Sequence, residues 1–149
     1  MNQLSHILHS SIVIILIILI TIIFPNKIFA NTKFFQQGLD LYNEKKYNEA
    51  KFKFEQDLVI NPKSEMSYLY LSKIFKNLDK KNLEEQNLNS VILLNPKNEE
   101  AIYYLARLKL DSSDYKQSKE LNDRLIDLCS KFCGESKKLK IEIENLSKK

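Results

Sequence analysis

Glycine, histidine and arginine are nearly missing from this 149-residue chain, and each shortage removes a class of chemistry. The two glycines, Gly38 and Gly134, stand far apart. A loop that cradles phosphate needs several Cβ-free residues together, so that backbone N–H groups can close on the anion; none can be built here. The two histidines, His6 and His9, precede a long apolar run, and no imidazole follows it. A Ser-His-Asp or Cys-His pair and a His-containing zinc site are therefore excluded from the rest of the chain. Arg107 and Arg124 are the only arginines, so the formal charge of +4 rests almost wholly on lysine. Lys45, Lys46, Lys51 and Lys53 alternate with Glu44, Glu49, Glu55 and Asp57. That is a mixed, solvated surface and not the one-sided cationic face of a nucleic-acid binder. No nucleic-acid partner, cofactor or metal is expected.

What the chain does have begins with apolar length. Ser11 to Phe24 reads SIVIILIILITIIF, and no charged side chain stands between Met1 and Asn26. The run has no polar stripe at helical spacing, so it suits a membrane or a translocon. As a secretory signal it has an apolar stretch of fitting length, a helix-breaking Pro25 and a small Ala30 for cleavage. Two features depart from that pattern: the leading segment has no Lys or Arg, and Ile28 is large for a position three before the cut. Read as an uncleaved anchor, Ile12 to Ala30 would give about 28 Å of helix, close to the minimum for a span. Residues 1–30 are thus a signal peptide or an N-terminal anchor and stand apart from the fold, whose domain is residues 31–149. The expected location is outside the cytoplasmic membrane, in the periplasm, or tethered to the membrane by this segment. Membrane contact is expected only through residues 1–30, if they are retained.

Beyond the run, the strongest signal is a period. Asn61-Pro62 and Asn95-Pro96 lie 34 residues apart, each closing an apolar stretch (Leu58-Val59-Ile60 and Val91-Ile92-Leu93-Leu94). Proline cannot continue a helix and pushes the preceding residue out of the helical region, so each pair marks a helix end. Leu125-Ile126-Asp127-Leu128 falls one further period on, with Cys129-Ser130 in place of Asn-Pro. Each period divides into two amphipathic segments. In the first, Phe34, Leu41 and Tyr42 precede a break at Asn43–Lys46, followed by Tyr47, Ala50, Phe54 and Leu58 at spacings of three and four. Tyr68, Leu71 and Phe75, then Leu88, Val91 and Ile92, repeat the arrangement on either side of Asn77–Lys81. Ile102, Leu105 and Leu108 precede Asp111-Ser112-Ser113-Asp114, a cluster suited to a turn and a helix cap, and Tyr115, Leu121, Leu125 and Leu128 follow.

The chain resembles the tetratricopeptide repeat. Gly38, Tyr47, Ala50, Phe54 and Pro62 fall at that family's signature positions, with Phe34 at its large aromatic. The second copy keeps Tyr68, Leu71, Phe75 and Pro96 but has Ser72 and Glu84 at the small positions. The third keeps Ala106 and Tyr115, has Ser118 at the tight alanine position and lacks the closing proline. The resemblance implies an all-α, right-handed solenoid of three helix hairpins at about residues 31–64, 65–98 and 99–132. Residues 135–147, with Leu139, Ile143 and Leu146 on one stripe, supply a capping helix, because the outer face of a last repeat cannot stay bare. Seven helices are predicted.

The resemblance also implies a concave groove lined by the first helix of each pair. The corresponding positions are Phe35, Leu39 and Tyr42, then Leu69, Lys73 and Lys76, then Tyr103, Arg107 and Leu110. Some members hold a peptide carboxylate with a Lys/Asn/Arg clamp; the matching positions here, Leu39, Tyr70, Glu100 and Tyr104, lack it. Such a groove would take an apolar or weakly acidic protein segment, unless Tyr103 and Tyr104 pack against neighbouring helices instead.

Cys129 and Cys133, the only cysteines, fall at the junction with the cap. If the helix ends between them, the backbone is free to bring them together, and an oxidising compartment would make the pair a structural disulfide. Two free thiols, a redox-active pair and a metal site are the alternatives. The stretch from Leu128 through Gly134 to Lys140 is similar to the tail of small exported repeat proteins of alphaproteobacteria. Glu84-Glu85 and Glu99-Glu100 fall at helix starts, where acids suit the helix dipole, and are read as that and not as acid–base pairs.

The function expected is a non-catalytic interaction adaptor of the cell envelope that binds a partner segment in the groove. A membrane-tethered assembly factor and a thiol redox protein are the alternatives. Cleavage after Ala30 separates the first two: intact mass of the exported protein should match a chain starting at Asn31, and a mature form retaining Met1 would replace the adaptor with the tether.

Overall fold

The computed structural model describes residues 32–148 and contains seven helices there. They are α1 (Lys33–Asn43), α2 (Tyr47–Ile60), α3 (Glu65–Asn77), α4 (Lys81–Leu94), α5 (Glu99–Asp111), α6 (Tyr115–Leu128) and α7 (Cys133–Leu146). No strand occurs among the described residues, and no helix among them is long and apolar enough to cross a membrane. The expectations for residues 1–30 lie outside the described residues.

Side-chain caps start the first helix of each pair. The Thr32 hydroxyl accepts from the Phe35 N–H at 3.1 Å, the Ser64 hydroxyl from Ser67 at 3.4 Å, and Asn98 Oδ1 from Ala101 at 2.8 Å. Each cap satisfies one of the N–H groups that a helix start leaves without a partner. Within each hairpin the turn has one fixed form. The N–H of Lys46 reaches the Leu41 carbonyl, Lys80 reaches Phe75, and Asp114 reaches Lys109, all at 2.9 Å. The residue before each of them, Lys45, Asp79 and Ser113, has φ of 61°, 51° and 61°. This is the left-handed helix stop that glycine usually occupies. Three non-glycine residues occupy it here, at a steric cost of about 1 kcal/mol each. The chain tolerates that because the paired helices on either side fix the turn.

The hairpins α1–α2, α3–α4 and α5–α6 stack in chain order, with α7 packed on the last one. The cores form between hairpins. Phe35, Ala50 and Phe54 of the first close on Leu71, Ile74 and Phe75 of the second. Leu69, Leu88 and Val91 close on Ala101, Leu105 and Leu108, and Ala106 and Leu110 close on Leu139 and Ile143 of α7. Asn31–Lys149 forms a compact unit with all three cores inside it. Small side chains at one repeated position, Gly38, Ser72 and Ala106, are buried where the two helices of a hairpin meet. Gly38 is the tightest of them: a Cβ there would stand 2.9 Å from the fully buried Phe54 ring.

The cap helix starts at Cys133, two positions ahead of the expected 135, and so includes the second cysteine and Gly134. A Cβ at Gly134 would meet nothing within 4 Å. The two glycines should therefore respond oppositely to alanine. Gly38→Ala should overpack the first core and, after the gain in helix propensity, still cost about 1 kcal/mol. Gly134→Ala should stabilise by about 0.5 kcal/mol. Chemical denaturation of both variants checks the pair.

Candidate functional site

The groove residues divide between core, cleft and cap. Tyr42, Lys73 and Lys76 line an open cleft of about 260 Å³ together with Ser72, Asn77, Glu84 and Tyr104. Tyr70 underlies it, stacked on Phe54 with ring centroids 5.2 Å apart and edge-on to Tyr42 at 5.1 Å. Lys73 Nζ lies 2.7 Å from Glu100 and 4.9 Å above the Tyr70 ring. Lys76 Nζ lies 4.9 Å above the Tyr104 ring. Both ammonium groups are thus held over aromatic faces, where the ring quadrupole attracts them. Burial alone would lower the Lys73 pKa; the hydrogen bond and charge of Glu100 outweigh it and raise it. Burial raises the Tyr42 and Tyr104 hydroxyls, which stay protonated as donors at neutral pH.

By sequence Glu84 is a helix-start acid, yet it is buried where the other repeats carry Ala50 and Ser118. Among the described residues no hydrogen bond reaches its carboxylate. Burial raises its pKa, Lys76 opposes that, and the group opens onto the cleft. The cleft therefore has two cations, Lys73 and Lys76, set against two anions, Glu100 and Glu84.

Phe35 and Leu69 are corrections. They are 5% and 1% exposed, and they fill the first and second cores instead of lining a binding face. That helix position points at the adjoining pair, so an apolar residue there is covered by it. Leu39 is half-buried against the first core. Tyr103 and Arg107 face α7 and are not brought to the cleft. Tyr103 packs on the α7 cluster with Phe132 5.4 Å away, and Arg107 pairs with Glu142 and lies 4.0 Å from Asp111. Tyr70 and Tyr104 take the places that the sequence reading passed over as a missing clamp. Their separation of one full period was the available signal.

At the other end, the sulfurs of Cys129 and Cys133 lie within bonding distance and their Cα atoms are 5.2 Å apart. The loop between them wraps the Glu99 carboxylate. It receives the Ser130 N–H at 2.9 Å, the Ser130 hydroxyl at 2.7 Å, the Lys131 N–H at 2.9 Å and the Phe132 N–H at 3.0 Å. These donors, the Ser130 hydroxyl first, lower the Glu99 pKa to about 2. Among the described residues no three His, Cys, Asp or Glu side chains gather as they would around a metal.

Paired helices at this period, stacked so that their first helices face one cleft, match solved structures over most of both chains. The fold is that of the tetratricopeptide repeat. The TPR2B domain of yeast Sti1, in a pHsp70 complex, aligns with TM-score 0.71 at 13% identity, covering 76% of this chain and 95% of that one. The Yersinia enterocolitica type III secretion chaperone SycD, with a peptide of the translocator YopD, gives 0.69 at 15% identity, covering 78% and 93%. The first tetratricopeptide domain of Spaghetti (RPAP3), bound to the HSP90 peptide SRMEEVD, gives 0.67 at 16% identity, covering 75% and 89%. No family model matches the sequence, and no curated protein matches it either.

The two carboxylates should leave opposite marks on acid stability. The Glu99 pKa is lowered on folding, so its contribution is present above about 4.5 and lost as pH falls toward about 2. Glu84 is raised, so its cost is absent at low pH and present once it ionises. Melts between neutral pH and pH 2 should show Glu99→Gln less stable than wild type with a gap that closes on acidification. Glu84→Gln should be more stable than wild type at neutral pH and equal to it in acid.

Proposed function

We propose that this tetratricopeptide-repeat protein is a non-catalytic adaptor of the cell envelope that holds one segment of a protein partner in the α1–α3–α5 cleft. The observation that carries the reading is the cleft itself. Tyr42 and Tyr104 give it aromatic walls, with Tyr70 packed behind Tyr42, and Lys76 is an exposed cation with no carboxylate in salt-bridge contact among the described residues. Tyrosine supplies a large, rigid contact area together with a hydroxyl donor, the combination that anchors interfaces. Lys73 is already matched by Glu100, so the cleft selects modestly for charge: an apolar or weakly acidic segment, with one acidic side chain meeting Lys76. The similar folds of Sti1, SycD and Spaghetti, seen with protein or peptide partners, support a segment-binding role. Export is supported by the apolar run Ser11–Phe24 with Pro25 and Ala30 behind it. The cysteine pair then serves as a clasp for the cap, beside the Glu99 contacts.

A photoreactive residue in place of Tyr104 should crosslink a single partner segment in native membranes, while one in place of Lys119 on α6 should not. The captured segment, made as a peptide, should lose about 1–2 kcal/mol of affinity on Tyr104→Ala. Tyr104 also packs on the second core, so the affinity is compared well below the melting temperature of the variant, with folding checked by circular dichroism. Equal crosslinking at both positions would sink the proposal.

A further inference from the structure

The helices alternate in direction, so the starts of α1, α3 and α5 share one edge with the ends of α2, α4 and α6. Hydrogen bonds across that edge confirm the arrangement: Thr32 to the buried Asp57, Asn95 to Glu65 at 3.0 Å, and Ser130 to Glu99 at 2.7 Å. Over the first two hairpins, two kinds of exposed side chain stand out on this edge beside Gln36, Pro62 and Pro96. Val59 and Leu93 are each 83% exposed, with Ile60, Leu94 and Met66 beside them. Lys33, Lys63 and Lys97 are exposed too, and among the described residues none of the three takes part in an ion pair. Both kinds repeat with the period, Val59 with Leu93 and Lys63 with Lys97. The carboxylates nearest them are turned inward: Asp57 onto Thr32 and Ser67, Glu65 onto Asn95 and Asn98, Glu99 onto the loop before α7. The exposed acids of this edge, Asp127 and Glu135, stand on α6 and α7, away from the first two hairpins.

We propose that this edge of the first two hairpins docks on a bilayer surface of anionic lipid, with the aliphatic side chains entering the headgroup boundary and the lysines meeting phosphate. Aliphatic residues flanked by unpaired lysines are the pattern of interfacial membrane attachment. A protein partner would call for different side chains, since interfaces are anchored by Tyr, Trp and Arg and depleted in Lys; among the described residues Tyr68 and Arg124 are half-buried here, and Arg124 is taken up by the Pro96 carbonyl. Continuity of the chain points the same way. Thr32 lies on this edge, and the apolar run Ser11–Phe24 stands shortly before it in the sequence. The opposite edge differs: Glu44, Asp79, Asp111 and Asp114 are interspersed with its lysines, and Leu83 is the exposed large apolar side chain nearest its turns. The surface is separate from the tyrosine cleft, so a segment bound there and a membrane would not compete.

The test uses residues 31–149, which hold all three cores, so that the apolar run cannot itself carry the protein to lipid. Co-sedimentation is measured with vesicles of phosphatidylcholine alone and of phosphatidylcholine mixed equally with phosphatidylglycerol. Binding is expected to the mixed vesicles only, and to weaken as salt rises. Lys63→Glu with Lys97→Glu should reduce it about tenfold or more, since each lysine near an anionic surface contributes several-fold. Val59→Ser with Leu93→Ser should also reduce it, while Lys45→Glu with Lys80→Glu at the opposite edge should change it less than about twofold. Circular dichroism melts of each variant confirm folding. No binding to the mixed vesicles, equal binding to both vesicle types, or an equal loss from the opposite-edge variant would each overturn the proposal. So would the finding that Val59→Ser with Leu93→Ser instead dissolves a dimer of the free protein.

Discussion

No helix pair in this protein can bury its own apolar face, and everything else depends on that. The ring of Phe54 closes over Gly38 within its own hairpin, but the core around it is completed by Leu71, Ile74 and Phe75 of the next one. The same holds at Leu88 and Val91, closed by Ala101 and Leu105, and at Ala106 and Leu110, closed by α7. Stability in such a stack comes from nearest-neighbour interfaces, so the last hairpin requires a cap. The Glu99 carboxylate and the Cys129–Cys133 junction hold the start of that cap, ahead of its apolar stripe.

Repetition makes the departures from it readable. Asp57 takes the position that Val91 and Leu125 fill with hydrocarbon, and its charge is held by hydroxyls of Thr32 and Ser67. Asn122 takes the position of Phe54 and Leu88, and gives one amide hydrogen bond to the Ser136 carbonyl at 3.1 Å while its own oxygen has no partner among the described residues. Glu84 takes the position of Ala50 and Ser118 and gains no hydrogen bond among the described residues. Asp57 and Asn122 tie neighbouring elements together and have a structural role. Glu84 does not, and it opens onto the cleft where Lys76 and Tyr104 are gathered. Burial raises the Glu84 pKa, and no tie to a neighbouring element offsets it.

The cleft also shows how a groove with four charged groups can stay close to neutral. Glu100 holds Lys73 over Tyr70, and Lys76 sits over Tyr104. Aromatic faces stabilise the ammonium groups without neutralising them, so the tyrosines supply contact area and fix the cations at the same time. Such a surface offers shape and a few fixed groups more than net charge.

The sequence by itself determined the helix pairs, their period and the order in which they stack. Asn61-Pro62 and Asn95-Pro96 stop helices by covalent constraint, and apolar residues at spacings of three and four select the buried faces. Both effects act locally and so are written in the order of residues. The hairpin turns were visible as polar breaks, but their left-handed residues, Lys45, Asp79 and Ser113, were not, because the glycine that usually marks such a stop is missing. Which side chains become a surface was decided only by tertiary packing. Phe35 and Tyr42 lie two helical turns apart on α1, yet one is covered by Phe54 and Tyr70 while the other opens onto the cleft. Tyr103 and Arg107 have groove positions by sequence, and α7 takes both. Exposure depends on which neighbour lies opposite, and that neighbour is supplied by a helix some 30 residues away, beyond the reach of any local pattern.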